Sequence, residues 1–359
     1  MRIVTIVGAR PQFIKAWPVS HALREAGIEE YVIHTGQHYD FQMCGIFYQE
    51  LDIPQPSINL EVGSGPHGRQ TGLMLERIET VLIGQKPDWV LVYGDTNSTL
   101  AGALAAAKLH IRVAHVEAGL RSFNRRMPEE TNRVLTDHCS DLLFCPTETA
   151  ITNLKQEGIT KGVHQVGDVM YDALVKARGV AREKSTILQT LGLKHKGFLL
   201  ATVHRAENTD DPERLRAIMT ALTQLAEREP IIFPAHPRTL KALKAAGFDA
   251  SPHSALGNLH FIDPVGYLDM LQLEEAARVV LTDSGGVQKE AFWLSTPCVT
   301  LREETEWLET VNSGWNRLAG ASVSRILEEA NSRRWPVDSK SPGEEARAAT
   351  RCVTILAAR

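Results

Sequence analysis

A chain of 359 residues with 43% apolar and 23% charged residues, 26 Gly and 17 Pro has a globular composition at a length that usually divides into two domains, which excludes disordered and fibrous classes. Its 39 Lys and Arg against 43 Asp and Glu leave a net charge of −4, without the basic excess that binding a phosphate backbone requires, so no nucleic-acid partner is expected. The five cysteines (Cys44, Cys139, Cys145, Cys298 and Cys352) form no C-x-x-C pair and sit among apolar neighbours, the pattern of buried free thiols in a reducing cytosol.

The N-terminal apolar run, Ile3–Val7, is too short for a signal peptide, and no window reaches the roughly 18 apolar residues of a membrane span. A cytoplasmic protein without a membrane partner is expected. In chain order, β-branched runs at Ile3–Val7, Tyr31–Thr35, Trp89–Tyr93, Arg112–Val116 and Asp141–Cys145 each lead into a helical stretch. A second series repeats the theme at Phe198–Val203, Ile231–Pro234, Leu259–Ile262, Val279–Thr282 and Cys298–Leu301. Continuous apolar strands alternating with helices predict parallel sheets covered on both faces, because a crossover helix is what joins parallel neighbours. The fold class is therefore α/β, with two Rossmann-like doubly wound domains over residues 1–168 and 169–341. Their seam falls near Val166–Tyr171, and a last helix, Glu344–Leu356, is expected within 342–359.

In open α/β sheets ligands bind beyond the carboxyl ends of the strands, so the residues following each strand carry the functional reading. After the first strand, Gly8-Ala9-Arg10-Pro11-Gln12-Phe13-Ile14-Lys15 offers a tight turn, a proline suited to a first helical turn, and two cations, Arg10 and Lys15, able to reach outward to an anion at the helix N-terminus. A plain turn with solvated charges fits equally, since the G-x-G-x-x-G spacing is missing. Asp95, in Gly94-Asp95-Thr96, and Glu117, in Glu117-Ala118-Gly119, end two apolar strands. Asp95 also suits a helix N-cap, but Glu caps poorly and is costly to bury alone, and two carboxylates sharing a site can hold an acid and a base at one pH. Glu129 and Glu130 open another helix, where favourable dipole placement is the simpler explanation.

In the second half, His204 and Arg205 follow one strand and His236 another. A histidine there could meet a phosphate or be a satisfied buried imidazole. Metal binding is not expected, because no second ligand stands at helical spacing from either histidine. Asp283-Ser284-Gly285-Gly286-Val287-Gln288-Lys289-Glu290 is the sharpest segment: its glycines let backbone amides approach phosphate oxygens, and Glu290 follows as an acceptor for ribose hydroxyls.

Taken together, Gly8-Ala9-Arg10-Pro11, Gly94-Asp95-Thr96, His115-Val116-Glu117-Ala118-Gly119-Leu120-Arg121, Pro128-Glu129-Glu130, His204-Arg205 and Asp283-Ser284-Gly285-Gly286 resemble, in that order, the non-hydrolysing UDP-N-acetylglucosamine 2-epimerase family. The resemblance implies a GT-B-type architecture with an interdomain cleft, a C-terminal helix that packs back on the first domain, and a homodimer. It implies C2 epimerisation of a UDP-2-acetamido sugar by elimination and re-addition of UDP, without a cofactor, feeding bacterial surface polysaccharide synthesis. By that resemblance Asp95, Glu117, Glu129 and His204 are catalytic. Arg10, Lys15, Arg205, His236, Ser284, Gly285, Gly286 and Glu290 would bind the UDP sugar.

Some residues depart from the common family form: Gln12 stands for Glu, Val265 for Gln, and Thr305-Glu306-Trp307-Leu308-Glu309 for an Arg-Pro-Glu version. With His34-Thr35-Gly36-Gln37-His38, these look like the branch acting on UDP-2,3-diacetamido-2,3-dideoxy-glucuronic acid, where Gln12 would spare a substrate carboxylate a like charge. Arg69-Gln70-Thr71 resembles a segment that helps bind an activating second UDP sugar in some bacterial members, and a solvated helix start explains it too. A GT-B glycosyltransferase, a hydrolysing epimerase and a nucleotide-sugar sensor are the rival readings.

Overall fold

The structure, a computed structural model, describes residues 1–37, 55–336 and 346–359; Cys44, His38 and the expected helix start at Glu344 lie outside the described residues. The described residues of Met1–Lys176 and of Glu344–Arg359 form one compact unit and those of Ala177–Gly343 a second.

In the first unit, β1 (Arg2–Val7), β2 (Glu29–His34), β3 (Ile58–Asn59), β4 (Trp89–Tyr93), β5 (Arg112–Val116), β6 (Leu142–Cys145) and β7 (Val163–Gln165) form a parallel sheet in the order β3-β2-β1-β4-β5-β6-β7. The order reverses between β1 and β4, which is the switch point at which an open sheet leaves a crevice beyond its strand ends. β4 is buried along its whole length and β1 from Ile3 onward, so both faces are covered, as continuous apolar strands require. The helix Asn97–Lys108 lies close over them because its buried face is made of Ala101, Gly102, Ala105 and Ala106; a Cβ on Gly102 would stand 2.6 Å from the Ile6 side chain. The C-terminal helix Ala348–Ala357 packs on the helix Arg10–Glu25 of the same unit, with the Ala349 N–H donating to Asp172 at 2.8 Å and the Arg351 guanidinium to the Val166 carbonyl at 3.1 Å.

The second unit repeats the plan. β8 (Leu199–Thr202), β9 (Ile231–Pro234), β10 (Ala255–Leu256), β11 (Leu259–Ile262), β12 (Val279–Thr282), β13 (Cys298–Thr300) and β14 (Asn316–Leu318) run in the order β10-β11-β9-β8-β12-β13-β14, and the switch point lies between β8 and β12. The β10–β11 pair is antiparallel. The core on one face of this sheet joins Leu199, Phe233, Leu259 and Leu281 to Leu215, Ile218 and Leu222 of the helix Pro212–Ala226, which Asp211 caps. Each such fully buried side chain contributes about 1.5–3 kcal/mol. Both domains are thus doubly wound α/β units, as the strand pattern predicts. No helix among the described residues is long and apolar enough to cross a membrane.

Candidate active site

Two clusters stand beyond the strand ends, one in each unit. In the first, β4 and β5 are hydrogen-bonded neighbours with Tyr93 opposite Val116, so Asp95 and Glu117 leave the same edge of the sheet. Asp95 does not cap the following helix: Thr96 does, its hydroxyl accepting from the Thr99 N–H, which leaves the Asp95 carboxylate free for other partners. That carboxylate pairs with Arg133 and keeps its side chain one-third exposed. Glu117 is more deeply set and pairs with Lys15. Read from sequence as an outward-reaching cation, Lys15 is instead committed to the protein's own acid. Burial works against its ammonium, but the carboxylates of Glu117, Asp95 and Asp168 outweigh that cost and hold its pKa above the ordinary lysine value.

Glu117 has φ of 72°, left-handed backbone in which a side chain of its size is strained, and such strain clusters at functional turns. Two glycines permit the geometry. Gly94 has φ of 64°, and a Cβ there would come within 3.2 Å of both Lys15 Nζ and the Glu117 carboxylate. At Gly119, φ is 81° and a Cβ would stand 2.4 Å from the Ala150 carbonyl oxygen. Gly119→Ala is therefore expected to cost about 1–3 kcal/mol in thermal or denaturant unfolding, through strain at the turn that presents Glu117.

The two consecutive acids of the helix Pro128–His138 separate cleanly. Glu130 is buried, accepts from the Ser122 and Phe123 N–H groups and the Ser122 hydroxyl at 2.8–2.9 Å, and pairs with Arg133 at 3.2 Å; it holds the loop together. Glu129 is exposed and makes no hydrogen bond or ion pair among the described residues. Sequence reasoning passed over Arg133 and Asn132, which position the Asp95 turn; Asn132 Nδ2 donates to the Asp95 carbonyl at 3.0 Å. Their spacing from Glu129, three and four residues along one helix, was the available signal.

Gln12 corrects the specificity argument made for it. Its side chain is buried, its oxygen accepts from the Gly8 and Ala9 N–H groups at 2.8 and 3.0 Å, and its nitrogen donates to the Tyr93 carbonyl and the Thr99 hydroxyl at 2.9 and 3.0 Å. All four hydrogen-bonding positions of the amide are used inside the protein, so Gln12 braces the β1 and β4 turns and faces no substrate carboxylate. Arg10 opens the helix Arg10–Glu25; its side chain lies outside the described residues.

In the second unit the hub is Asp283, fully buried at the end of β12. It accepts from the His204 and Arg205 N–H groups at 3.0–3.1 Å and from Asn208 Nδ2 at 3.1 Å, tying the turn after β8 to the turn after β12. His204 stands half-exposed, with Nδ1 3.3 Å from Asp283. Ser284 caps the helix Gly285–Trp293, a Cβ on Gly286 would stand in ordinary contact with the Ser284 hydroxyl at 3.9 Å, and Glu290 is buried on the same helix. The Arg205 Nε atom and the Trp307 indole nitrogen are both buried without a hydrogen-bond partner among the described residues, and the latter lies 3.1 Å from where a Cβ on Gly285 would sit. An anion over this helix N-terminus would find amide, indole and guanidinium donors. His236 is exposed on the neighbouring strand end and caps the helix Pro237–Ala245, accepting from the Arg238 N–H at 3.3 Å.

A family model described as UDP-N-acetylglucosamine 2-epimerase matches residues 21–356. The chain belongs to the UDP-N-acetylglucosamine 2-epimerase family. It is 59% identical to a "UDP-N-acetylglucosamine 2-epimerase homolog" of Methanococcus maripaludis over 91% of both chains. It is 52% identical to the UDP-2,3-diacetamido-2,3-dideoxy-D-glucuronate 2-epimerase of Pseudomonas aeruginosa over 92% of this chain and 91% of that one. The crystal structure of the Methanocaldococcus jannaschii UDP-GlcNAc 2-epimerase, solved with UDP-GlcNAc and UDP, matches over the whole of both chains with a TM-score of 0.89 at 46% identity. The family read from the sequence is therefore the one that matches, and its members are named as 2-epimerases, which are isomerases.

Proposed function

We propose that this chain interconverts the C2 epimers of a UDP-2-acetamido sugar, UDP-N-acetylglucosamine and UDP-N-acetylmannosamine, by elimination and re-addition of UDP. The observation that carries the reading is the pair Asp95 and Glu117 on neighbouring strand ends, each locked to its own cation, in a chain whose relatives are named for this reaction. A hydrogen at C2 beside an acetamido group is weakly acidic, so its removal must accompany cleavage of the anomeric C–O bond. The charge that then develops on the departing diphosphate is received by Arg205, His204, Ser284 and the amides of Gly285 and Gly286, with Glu290 on the ribose hydroxyls. Inversion requires a proton to leave one face of C2 and return to the other. Asp95, Glu117 and the exposed Glu129 are the acids available for that exchange.

Proton NMR of the purified protein with each of two UDP sugars tests the substrate. With UDP-N-acetylglucosamine, a second anomeric signal of manno configuration is expected, without a stoichiometric rise in free UDP. The UDP-2,3-diacetamido uronate is the second substrate to try, because one relative at 52% identity is named for it. An inert first sugar with a reactive second would transfer the assignment to the uronate, and UDP release without an epimer would replace the reading by hydrolysis. We further propose a cytoplasmic homodimer, which sedimentation in dilute solution checks for the oligomeric state.

A further inference from the structure

His115, the fourth residue of β5, is fully buried, and its ring bridges two turns of the carboxylate cluster. Nε2 lies 2.7 Å from the Gly94 carbonyl oxygen and Nδ1 lies 2.7 Å from Asp137 Oδ1. A carbonyl oxygen only accepts, so Nε2 carries a hydrogen. The partner on the other side is a carboxylate whose second oxygen accepts from the Gly119 N–H at 3.1 Å and lies 2.7 Å from the Arg121 guanidinium. Burial alone would push the Asp137 carboxyl up, but His115 and Arg121 outweigh it and hold it below the usual carboxylate range. An ionised Asp137 accepts only, so Nδ1 carries a hydrogen as well.

A neutral ring would aim a lone pair at one of these oxygens in a buried site. The surrounding charges balance: Arg121 is bound by both Glu157 oxygens at 2.7 and 2.8 Å, and Cys145 on β6, its thiol pushed up to about 12 by burial, is neutral. Beyond Gly94 stand the Lys15–Glu117 pair and the Asp95–Arg133 pair.

We propose that His115 is a positioning residue whose two N–H groups clamp together the turns that carry Asp95 and Glu117. One N–H holds the Gly94 carbonyl next to Asp95. The other holds Asp137, which in turn holds the Gly119 amide two residues after Glu117. The clamp rests on the two ring contacts and on an ionised Asp137, and its catalytic consequence rests on the epimerase reading.

Long-range proton–nitrogen NMR of the wild type and of His115→Asn, both labelled with 15N-histidine and recorded at pH 7, tests the first part. Of the 13 histidines, one ring that is missing from His115→Asn is expected to carry a hydrogen on both nitrogens, and a wild-type spectrum with no such ring overturns the proposal. His115→Asn tests the second part. It is expected to lower kcat on the order of 10–100-fold while KM stays within about threefold, since misplacement of the reacting groups weakens turnover more than binding. An unchanged kcat, or a loss confined to KM, overturns the positioning role. A wild-type protein inert toward both UDP sugars would sink the epimerase reading and leave the NMR result standing.

Discussion

Asp95→Asn and Glu117→Gln are each expected to lower kcat by about 100-fold or more while the protein still unfolds cooperatively. Both substitutions keep the size and planarity of the side chain and remove its capacity to take and return a proton, a capacity worth roughly 10²–10⁴ in rate. The two sites differ in what else they lose. Asp95 is one-third exposed and held by Arg133, Asn132 and the Thr96 turn, so its amide variant leaves the helix cap untouched. Glu117 is nearly buried on left-handed backbone and faces Lys15, so its variant also leaves a lysine ammonium with one partner fewer. Stopped or steady-state assays of both variants, with thermal unfolding as the fold control, check this. A kcat within threefold of wild type in either folded variant would remove that residue from the chemistry. Glu129→Gln belongs in the same series as the exposed third acid.

Lys15→Met carries the largest expected effect on stability. Breaking a buried ion pair from one side leaves an uncompensated charge and costs about 3–5 kcal/mol, whereas removing both partners is far milder. Lys15→Met alone is therefore expected to lower the unfolding free energy by about that amount at pH 8, and the double variant Lys15→Met with Glu117→Gln to recover most of it. The pH dependence follows from the direction of the lysine shift. A lysine whose folded pKa is raised contributes stability that is complete below its unfolded pKa and is lost as pH rises through the folded value. The wild-type pair therefore holds through the neutral range, and its contribution fades only above the ordinary lysine value of 10.5. A double variant no more stable than Lys15→Met would show that Glu117 is not the reason Lys15 is needed.

Much of this arrangement was legible in the sequence. The long buried strands announce themselves as β-branched runs, and β4, β5, β9, β11 and β12 fall where those runs predict. The edge strands β3, β7, β10 and β14 do not, because two or three residues, partly exposed, carry no periodicity to read. Acidic residues at strand ends were visible, yet their cations were not. Lys15 and Arg133 reach Asp95 and Glu117 only because the helices Arg10–Glu25 and Pro128–His138 are folded beside the β4 and β5 ends, and no local spacing encodes that. The helix Pro128–His138 did hold a clue. Its buried side chains include Asn132, Arg133, Thr136 and Asp137, a polar stripe at intervals of one, three and one residues on a face that an ordinary amphipathic helix fills with apolar groups. Gln12 misled for the opposite reason: a polar residue beside a candidate anion site looked like a substrate contact, and only the folded chain shows all four of its hydrogen bonds spent on backbone and hydroxyl partners.

The central claim is that proton exchange at C2 accompanies reversible loss of UDP. The most direct measurement is the reaction with UDP-N-acetylglucosamine in D2O, followed by proton NMR and mass spectrometry. The account predicts deuterium at C2 in both the gluco and the manno UDP sugars, one deuterium per molecule, with the UDP linkage intact at equilibrium and the rate of exchange lowered about 100-fold or more in Asp95→Asn. Epimer formed without solvent deuterium would contradict it.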